Sequence, residues 1–453
     1  MTPEIPAAYL EDASGFRGEA ERLCLPSSEA ELAEVLEAAR RQRVAVSIAG
    51  AGTGLTGGRV PKSGWVVSLE KFRRLEFRSG SARAGAGVAL KDLQAEARRR
   101  GLFFPPDPTE TLASVGGVVA CNSSGARSFR YGAARRWIRR LRVAFASGAI
   151  REFGRGEAID FEVPPIPLPR STKHSAGYPL TPGMDWIQLI AGSEGTLAVV
   201  MEADLDLLPL PAGLVSGVVF FSDDDCALSA VEAWRAVPGL RMLEYMDANS
   251  LALMRSPFPD IPARAAAALL IEQEAGEEEL EAWIERLEQA QADVEGSWFA
   301  ASEADRERFR QFRHALPEAV NEVVRRNGRQ KIGSDCAVPP ERNREMLAYY
   351  RRALESEFPG RHVIFGHIGD AHLHPNVLPQ SEEDAARGRA LMVEFARQAV
   401  QWGGTVSAEH GLGKRKAHLL ALQYAPEHIE AMKAVKRRLD PDWILSPGNL
   451  FGE

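Results

Sequence analysis

The hydrophobic positions near the start of the chain follow two different periods. Ser28 and Glu31 are spaced as a capping box, and the apolar residues that follow recur at helical spacing as far as Ala39. Short apolar runs at 44–50 and 64–69 lack that period and predict strands. This part of the chain is therefore predicted to alternate helices with strands.

The pattern continues with a helix over residues 88–101, with Gly101 at the C′ position. Leucines and prolines at 205–212 then interrupt it, and we place a domain boundary there. Beyond this point, apolar runs at 214–221 and 263–275 each precede a helical pattern. This order predicts a small antiparallel sheet with helices on one face.

Composition narrows the classes of function. The chain has 453 residues, of which 45% are hydrophobic, and its formal charge of −7 argues against a nucleic-acid partner. The four cysteines lie far apart, which disfavours a disulfide framework, a zinc–thiolate site or an iron–sulfur site and fits a reducing, cytoplasmic setting. The N-terminus lacks the pattern of a signal peptide, and no apolar run approaches the ~20 residues of a membrane span, so we expect a soluble protein.

Three segments are rich in small residues. The first, 49–61, holds five glycines directly after a predicted strand, and the other two cover 105–132 and 191–209. Glycine lets a backbone approach a ligand closely, and successive N–H groups can cradle phosphate oxygens. Taken alone, the first segment is equally compatible with an ordinary glycine turn, because neither a P-loop nor a clear GxGxxG helix follows.

In this order and spacing, the three segments resemble the FAD-binding domain of the vanillyl-alcohol oxidase/PCMH flavoprotein superfamily. Within it, the chain resembles the FAD-linked D-2-hydroxyacid dehydrogenases: D-lactate dehydrogenase, the FAD subunit of glycolate oxidase and D-2-hydroxyglutarate dehydrogenase. The resemblance runs from about residue 20 to the C-terminus. It implies an α+β fold with a PCMH-type FAD-binding domain of two α+β subdomains at 1–208. A cap domain with an antiparallel sheet and a metal-binding hairpin would follow at 209–405, and a C-terminal helical segment at 406–453 would pack back on the FAD domain.

The resemblance also implies which residues contact FAD. The FAD pyrophosphate would meet the backbone amides of Ala51, Gly52, Thr53, Gly54 and Leu55. The isoalloxazine and diphosphate would be lined by Pro108, Ser114, Gly117, Asn122 and Gly125. The ribityl and adenosine parts would meet Glu194, Gly195 and Val199. None of the three segments contains a histidine, so we expect the FAD to be bound non-covalently.

A second candidate site is a predicted hairpin over residues 362–378 that carries His367, His372 and His374, three of the nine histidines of the chain. If Gly369 and Asp370 form its turn, His367 faces His372 across the ladder, and all three histidines project to one side.

Glu409 and His410 follow the hairpin, and imidazoles with a carboxylate are a familiar set of ligands for a divalent metal. The alternative is a partly exposed sheet face whose histidines bond to water and carbonyls.

The resembled family carries a GH…GDGNLH hairpin and an EHG motif. Matched residue by residue, it implies that His367, His374 and Glu409 bind zinc, manganese, iron or cobalt and that His410 is the catalytic base. The family commonly has asparagine at the position of His372. This leaves open whether His372 adds a ligand, tunes the choice of substrate or lines the pocket.

The resemblance places further residues near the substrate. A guanidinium suits bidentate capture of a carboxylate, so Arg313 is the candidate clamp, with Lys331 beside it in the catalytic set and Asn376 and His372 as further substrate contacts. Without the resemblance, a surface role would be the default for Arg313. Lys173 and Tyr178 match a stretch beside the flavin, where structural roles are equally compatible.

The expected activity is oxidation of a D-2-hydroxy acid to the 2-keto acid. The metal would orient the substrate, His410 would accept the hydroxyl proton, and flavin N5 would accept hydride. The electron acceptor would be a quinone, an electron-transfer flavoprotein or a separate iron–sulfur subunit. The protein itself would be compatible with a homodimer, and its acceptor would hold it at the periphery of the inner membrane. Two alternatives stay open: a metal-dependent hydrolase and a non-catalytic FAD-binding subunit.

Overall fold

The computed structural model of the protein describes residues 4–300 and 302–452. Its first sheet has three parallel strands in the order β1-β3-β2, with β1 at Arg22–Cys24, β2 at Val46–Ala49 and β3 at Trp65–Ser68. Helix α1, Glu29–Gln42, connects β1 to β2 and buries an apolar stripe that includes Leu32 and Leu36. The two strands and the helix predicted here are confirmed.

The cap of α1 differs from the prediction in one half. The Ser28 hydroxyl accepts a hydrogen bond from the Glu31 backbone N–H at 3.2 Å, as expected. The Glu31 carboxylate, however, accepts from the backbone N–H of Ser27 at 2.7 Å and not from that of Ser28. The reciprocal bond of the predicted capping box is therefore shifted by one residue, and it still satisfies a backbone donor at the start of the helix.

The second sheet has five antiparallel strands in the order β4-β5-β9-β7-β8. A short pair, β6 and β10, lies apart from it. Gly101 follows the end of α2 with a φ of +72°, as its predicted C′ position requires. The strands of this part are β4 Leu75–Arg78, β5 Ser81–Gly85, β6 Leu102–Phe103, β7 Ile138–Ala144, β8 Ile150–Gly154, β9 Val199–Asp206 and β10 Leu208–Pro209, and its helices are α2 Leu90–Arg99, α3 Val115–Ala120, α4 Ser128–Tyr131 and α5 Trp186–Ile190.

The third sheet has seven antiparallel strands in the order β14-β11-β13-β12-β16-β17-β15. Its strands are β11 Val215–Phe221, β12 Leu240–Asp247, β13 Ala267–Gln273, β14 Trp298–Ala300, β15 Ile332–Gly333, β16 His362–His367 and β17 His372–Val377. Its helices are α6 Asp224–Trp234, α7 Ala248–Met254, α8 Glu279–Gln289, α9 Glu303–Arg326, α10 Asn343–Glu357 and α11 Glu382–Gln401.

Helices cover both faces of this sheet, so the prediction of helices on one face is wrong. In β11, Val219 and Phe221 pack in the core that contains α6, α8 and α10, whereas Val218 and Phe220 pack in the core that contains α7 and α9. Every residue of β11 is buried. A strand buried on both faces is apolar throughout, and that continuous run should have excluded a solvated face.

The C-terminal segment returns to the first sheet. It contains α12, Leu420–Gln423, and α13, Pro426–Leu439. The Val46 backbone N–H donates to Ile444 O at 2.8 Å, and the Lys436 ammonium donates to Thr196 O at 2.6 Å. No helix within the described ranges is both long enough and apolar enough to cross a membrane.

Candidate functional site

A cavity of about 620 Å³ lies between the three segments rich in small residues. This volume is within the range of sites that hold small molecules and cofactors. Glu409 and His410 also line it. The predicted FAD contacts that line the cavity are Ala51, Gly52, Thr53, Gly54, Leu55, Pro108, Ser114, Gly117, Gly125, Glu194 and Gly195.

The backbone of residues 51–55 fits an anionic group. None of the five N–H groups donates a hydrogen bond to an acceptor among the described residues. Gly52 has a φ of +83°, a conformation that glycine adopts without strain. Successive unpaired amides on a cavity wall form the kind of concave donor set that binds phosphate oxygens. This segment therefore fits the diphosphate of FAD.

Two predicted FAD contacts do not line the cavity. The Asn122 side chain accepts from the Arg135 backbone N–H at 2.8 Å, on the other side of the segment from the cavity. Val199 lies in β9 and packs in the core with Leu445, whereas its neighbours Ala198 and Val200 line the cavity. Alternate residues of a strand point to opposite sides, so the prediction missed by one position.

Glu194 ties the cavity wall to the segment that follows His410. Its carboxylate accepts from the backbone N–H groups of Leu412 at 2.8 Å and Gly413 at 2.7 Å. Burial raises the pKa of Glu194 to about 7, although these two hydrogen bonds act in the opposite direction. Glu194 thus anchors the loop that carries the candidate base.

The histidine hairpin has the predicted register. His367 pairs with His372, and Phe365 pairs with His374. The connection is longer than the predicted Gly369-Asp370 turn, because a 3-10 turn at Ile368–Asp370 is followed by Ala371 with a φ of +50°. The three histidines nevertheless share one face, and nitrogen atoms of all three lie within 4.8 Å of one another and of a Glu409 oxygen.

Two of these histidines point the same ring atom at one carboxylate oxygen. The Nε2 atoms of His367 and His374 lie 3.1 and 3.5 Å from Oε1 of Glu409. Ligand atoms that bind one tetrahedral metal at ~2.0–2.1 Å lie about 3.3 Å from each other. The donor set therefore fits a divalent metal, with one oxygen and two nitrogens already at ligand spacing.

The Nδ1 atoms of His367 and His374 also have hydrogen-bond partners. His367 Nδ1 lies 2.5 Å from Oε1 of Glu244, and His374 Nδ1 lies 3.2 Å from the Ser334 carbonyl oxygen. A donated Nδ1–H fixes the tautomer that leaves Nε2 for a metal. Although burial alone would lower the pKa of His367, Glu244 and Glu409 raise it to about 9.

Glu244 is a buried residue of the site that the sequence reasoning missed. It lies in β12 and also accepts a hydrogen bond from Nε of Arg313 at 3.0 Å. Burial would raise the pKa of Glu244, but His367 and Arg313 hold it far below its usual value. The available signal was a carboxylate with two apolar or aromatic residues on each side, in MLEYM, because a buried charge needs partners.

Asp335 is the second missed residue. One oxygen accepts from the His410 backbone N–H at 2.9 Å, and the other lies 3.4 Å from His410 Nδ1 and 3.0 Å from His372 Nε2. The His410 ring stacks on His374 at an interplanar angle of 16°. Burial lowers the pKa of His410 to about 4 despite the nearby Asp335, so its ring is neutral near pH 7. The signal was a single charge in the otherwise small and apolar GSDCAVP.

Lys173 and Tyr178, which the resemblance places beside the flavin, have different surroundings in the structure. Lys173 is buried with Nζ 3.2 Å from Oε2 of Glu409 and therefore belongs to the cluster. Tyr178 is fully buried, and its hydroxyl lies 2.6 Å from the Thr196 hydroxyl in the core. Tyr178 thus fits a structural role in the core, the alternative that the sequence left open.

The predicted substrate residues Arg313, Asn376 and Lys331 differ in how they are placed relative to the cavity. Arg313 Nη1 donates to the hydroxyl of Thr109, a cavity-lining residue, at 3.3 Å. The Asn376 amide donates to the His374 carbonyl at 2.8 Å and so supports the hairpin. The Lys331 side chain has no hydrogen-bond or ion-pair partner within the described part of the chain, and burial lowers its pKa.

Comparison with known families decides the class. Residues 210–450, more than half of the chain, match the family described as FAD linked oxidases, C-terminal domain, and residues 20–154 match the FAD binding domain family. The chain belongs to the FAD-linked oxidases. This FAD-linked oxidase is thus a flavoprotein oxidoreductase, and the predicted FAD-binding domain and α+β fold are confirmed.

Several named proteins are similar over nearly the whole length. The D-lactate dehydrogenase of Archaeoglobus fulgidus is 32% identical over 435 residues, 94% of this chain and 90% of that protein. The D-2-hydroxyglutarate dehydrogenase of Xanthomonas citri pv. viticola is 31% identical over 95% of this chain and 89% of that one. The glycolate oxidase subunit GlcD of Bacillus subtilis (strain 168) is 30% identical over 94% and 88%.

A solved structure extends the likeness to the fold. Alkyldihydroxyacetonephosphate synthase superposes on 94% of this FAD-linked oxidase and 75% of its own chain, with a TM-score of 0.66. Its sequence is 15% identical, so the likeness concerns the fold alone.

Proposed function

We propose that this FAD-linked oxidase is a dehydrogenase that converts a D-2-hydroxy acid to the 2-keto acid. One observation carries the proposal: the cavity lined by unpaired amides reaches Glu409 and His410, where a neutral imidazole lies beside a metal-type donor set. The relatives named D-lactate dehydrogenase and D-2-hydroxyglutarate dehydrogenase support this substrate class.

The cofactor would be held mainly by backbone. The amides of residues 51–55 would bind the diphosphate, and the glycines at 117, 125 and 195 line the remaining walls. When bound, FAD supplies the two-electron redox chemistry that side chains lack. Among the described residues that line the cavity, the one histidine is His410, next to the metal-type cluster, and this supports non-covalent binding.

The metal would be bound by His367, His374 and Glu409. A nitrogen and oxygen donor set of this kind suits zinc, manganese, iron or cobalt. When bound, a divalent metal lowers the pKa of a coordinated hydroxyl and leaves coordination positions for substrate. Glu244 would accept a hydrogen bond from Nδ1 of His367 and so fix the tautomer of that ring.

Arg313 and His410 would act on the substrate directly. Glu244 holds Nε of Arg313, so the guanidinium is oriented with Nη1 at the cavity wall, where it can bind a carboxylate. Asp335 lies against Nδ1 of His410, which leaves Nε2 to accept the hydroxyl proton. Because the pKa of His410 is lowered to about 4, the ring is in its proton-accepting form at neutral pH.

Anaerobic titration with D-lactate, D-2-hydroxyglutarate and glycolate tests this function. We expect at least one of them to bleach the flavin absorbance, the L-enantiomers of the chiral acids to fail, and chelator treatment to abolish the bleaching. Bleaching by none of a wider panel of D-2-hydroxy acids would overturn the proposal and favour a non-catalytic FAD-binding subunit.

We also infer a separate electron acceptor. The relative named as a glycolate oxidase subunit supports a multi-subunit arrangement, and the cysteines of this chain at 24, 121, 226 and 336 are far apart in sequence. Reoxidation of the reduced protein by a soluble quinone analogue at least tenfold faster than by oxygen would agree with this. Equal rates would contradict it.

A further inference from the structure

His372 differs from the two other histidines of the hairpin because both of its ring nitrogens already have partners. Its Nε2 lies 3.0 Å from Oδ1 of Asp335, and its Nδ1 lies 3.4 Å from Nζ of Lys173. The side chain has no exposed surface. His367 and His374, in contrast, each turn Nε2 toward the Glu409 carboxylate.

We propose that His372 is a positioning residue that links Lys173 to Asp335 and does not bind the metal. An ammonium group has three donors and no acceptor, so Nδ1 of His372 must accept the bond from Lys173. The ring proton then lies on Nε2 and is donated to Asp335. The inference rests on the proposed function, because the positions being fixed are those of a metal ligand and a base.

On one side, the link orients the metal ligand. The Lys173 ammonium donates to Oε2 of Glu409 at 3.2 Å, and the Ser124 hydroxyl donates to the same oxygen at 2.7 Å. These two bonds hold Oε2 and so restrict rotation of the carboxylate. Oε1 is left facing the Nε2 atoms of His367 and His374.

On the other side, the link orients the base. Asp335 is fully buried, and its Oδ2 accepts from the Ser407 hydroxyl at 2.6 Å and from the His410 backbone N–H at 2.9 Å. The bond from His372 holds Oδ1, which lies 3.4 Å from Nδ1 of His410. One chain of hydrogen bonds therefore connects Glu409 to its sequence neighbour His410 by way of Lys173, His372 and Asp335.

The competing role is that of a fourth metal ligand. His372 lies close enough to the donor set for that role, within 4.8 Å. To bind a cation, however, Nδ1 would have to release the Lys173 ammonium, or Nε2 would have to release Asp335. Either change would remove one hydrogen bond from a buried charge, which is costly even though Lys173 would keep Glu409 and Asp335 would keep Ser407.

Cobalt substitution separates the two roles without a substrate. The wild-type protein, His372→Asn and His372→Leu would be loaded with Co²⁺, and the visible d–d absorption bands compared. For a positioning residue we expect the same bands in the wild-type protein and in His372→Asn, because asparagine keeps both hydrogen bonds, and at most a small shift in His372→Leu, where Glu409 is held less firmly. A change of band position or intensity in His372→Asn would identify His372 as a ligand and overturn the proposal, even if the leucine variant failed to fold.

Flavin reduction by substrate gives the second readout. Asparagine can accept from Lys173 and donate to Asp335, whereas leucine can do neither. We expect His372→Leu to lower the rate constant of flavin reduction about 10–100-fold, as loss of an outer partner does, and His372→Asn to restore it with little change in substrate Kd. Equal losses of the rate constant in both variants would contradict the proposal that His372 links Lys173 to Asp335.

A matched control is His362→Leu, because His362 is a buried histidine of the neighbouring strand β16 that bonds to the Phe358 carbonyl oxygen and Asn249. It should lower stability and leave flavin reduction unchanged. Failure of the proposed function would be seen differently: no D-2-hydroxy acid would bleach the wild-type flavin, while the cobalt bands would still report on His372. A wild-type protein that binds no Co²⁺ would overturn both.

Discussion

The two parts of the candidate site, the glycine-rich wall and the histidine cluster, are built on opposite principles. The wall presents backbone amides of residues 51–55 that have no partner within the described chain. The cluster consists of buried ionisable side chains whose ring and carboxylate atoms contact each other at 2.5–3.5 Å. The wall is therefore complementary to an anion, and the cluster to a cation.

This difference determines how each part tolerates substitution. A backbone wall loses nothing when a side chain is changed, unless the new side chain fills the space of the ligand. A cluster of buried charges depends on each partner, because removal of one leaves another unpaired. The largest effects are therefore expected in the cluster and the smallest in the wall.

The largest effect is expected for Glu409→Gln, which removes the negative charge of the carboxylate that both Nε2 atoms face. Metal affinity should fall more than about 100-fold, beyond the 10–100-fold that outer partners contribute, and flavin reduction should be lost. Metal content after dialysis measures this. Glu29→Gln is the control, because that carboxylate pairs with Arg142 at the surface and the variant should retain the metal. Equal metal content in both variants would contradict the ligand assignment.

His410→Ala tests the candidate base, which lies between the glycine-rich wall and the histidine cluster. The rate constant of flavin reduction should fall about 10²–10⁴-fold, the usual contribution of a general base, with FAD and metal contents unchanged. Stopped-flow measurement of flavin absorbance checks this. His418→Ala removes an exposed histidine nearby in sequence and should have no effect. Undiminished bleaching in His410→Ala would remove His410 from this role.

Glu244→Gln should have an intermediate effect. The variant removes the negative charge that faces Nδ1 of His367 and Nε of Arg313, so metal affinity should fall about 10–100-fold. Competition with a chelator measures it. Glu272→Gln removes another buried carboxylate, one that pairs with Arg127 and Arg241, and should lower stability without changing metal affinity. Parallel losses of metal in the two variants would assign the effect to general destabilisation.

The smallest effect is expected in the wall, for Gly54→Ala. The nearest atom to the new methyl group is a carboxylate oxygen of Asp12 at 3.6 Å, so folding should change by less than about 0.5 kcal/mol. The methyl group would narrow the site, and the Kd for FAD should rise about tenfold, or 1.4 kcal/mol. Gly154→Ala, which meets nothing within 4 Å, is the control. An unchanged Kd for FAD would argue against an amide cradle at Gly54.

The sequence was informative where neighbouring residues determine the outcome. The face shared by His367, His372 and His374 followed from strand alternation and register alone. Glu244 and Asp335 were missed because their partners come from distant strands and loops, which local patterns do not report. The core position of Val199 was missed because residues 197–201 are all apolar, so their sequence does not mark which of them face the cavity.

The hydrogen bond between Val46 and Ile444 has a consequence for synthesis on the ribosome. Strand β2 is at the edge of the first sheet, and residues 444–446 pair with that edge. The edge stays open until residues 444–446 have been translated, and an unpaired strand edge invites aggregation. Because β2 runs directly into the glycine-rich wall, the strand that leads into the candidate cofactor site gains this partner only after residue 446 has left the ribosome.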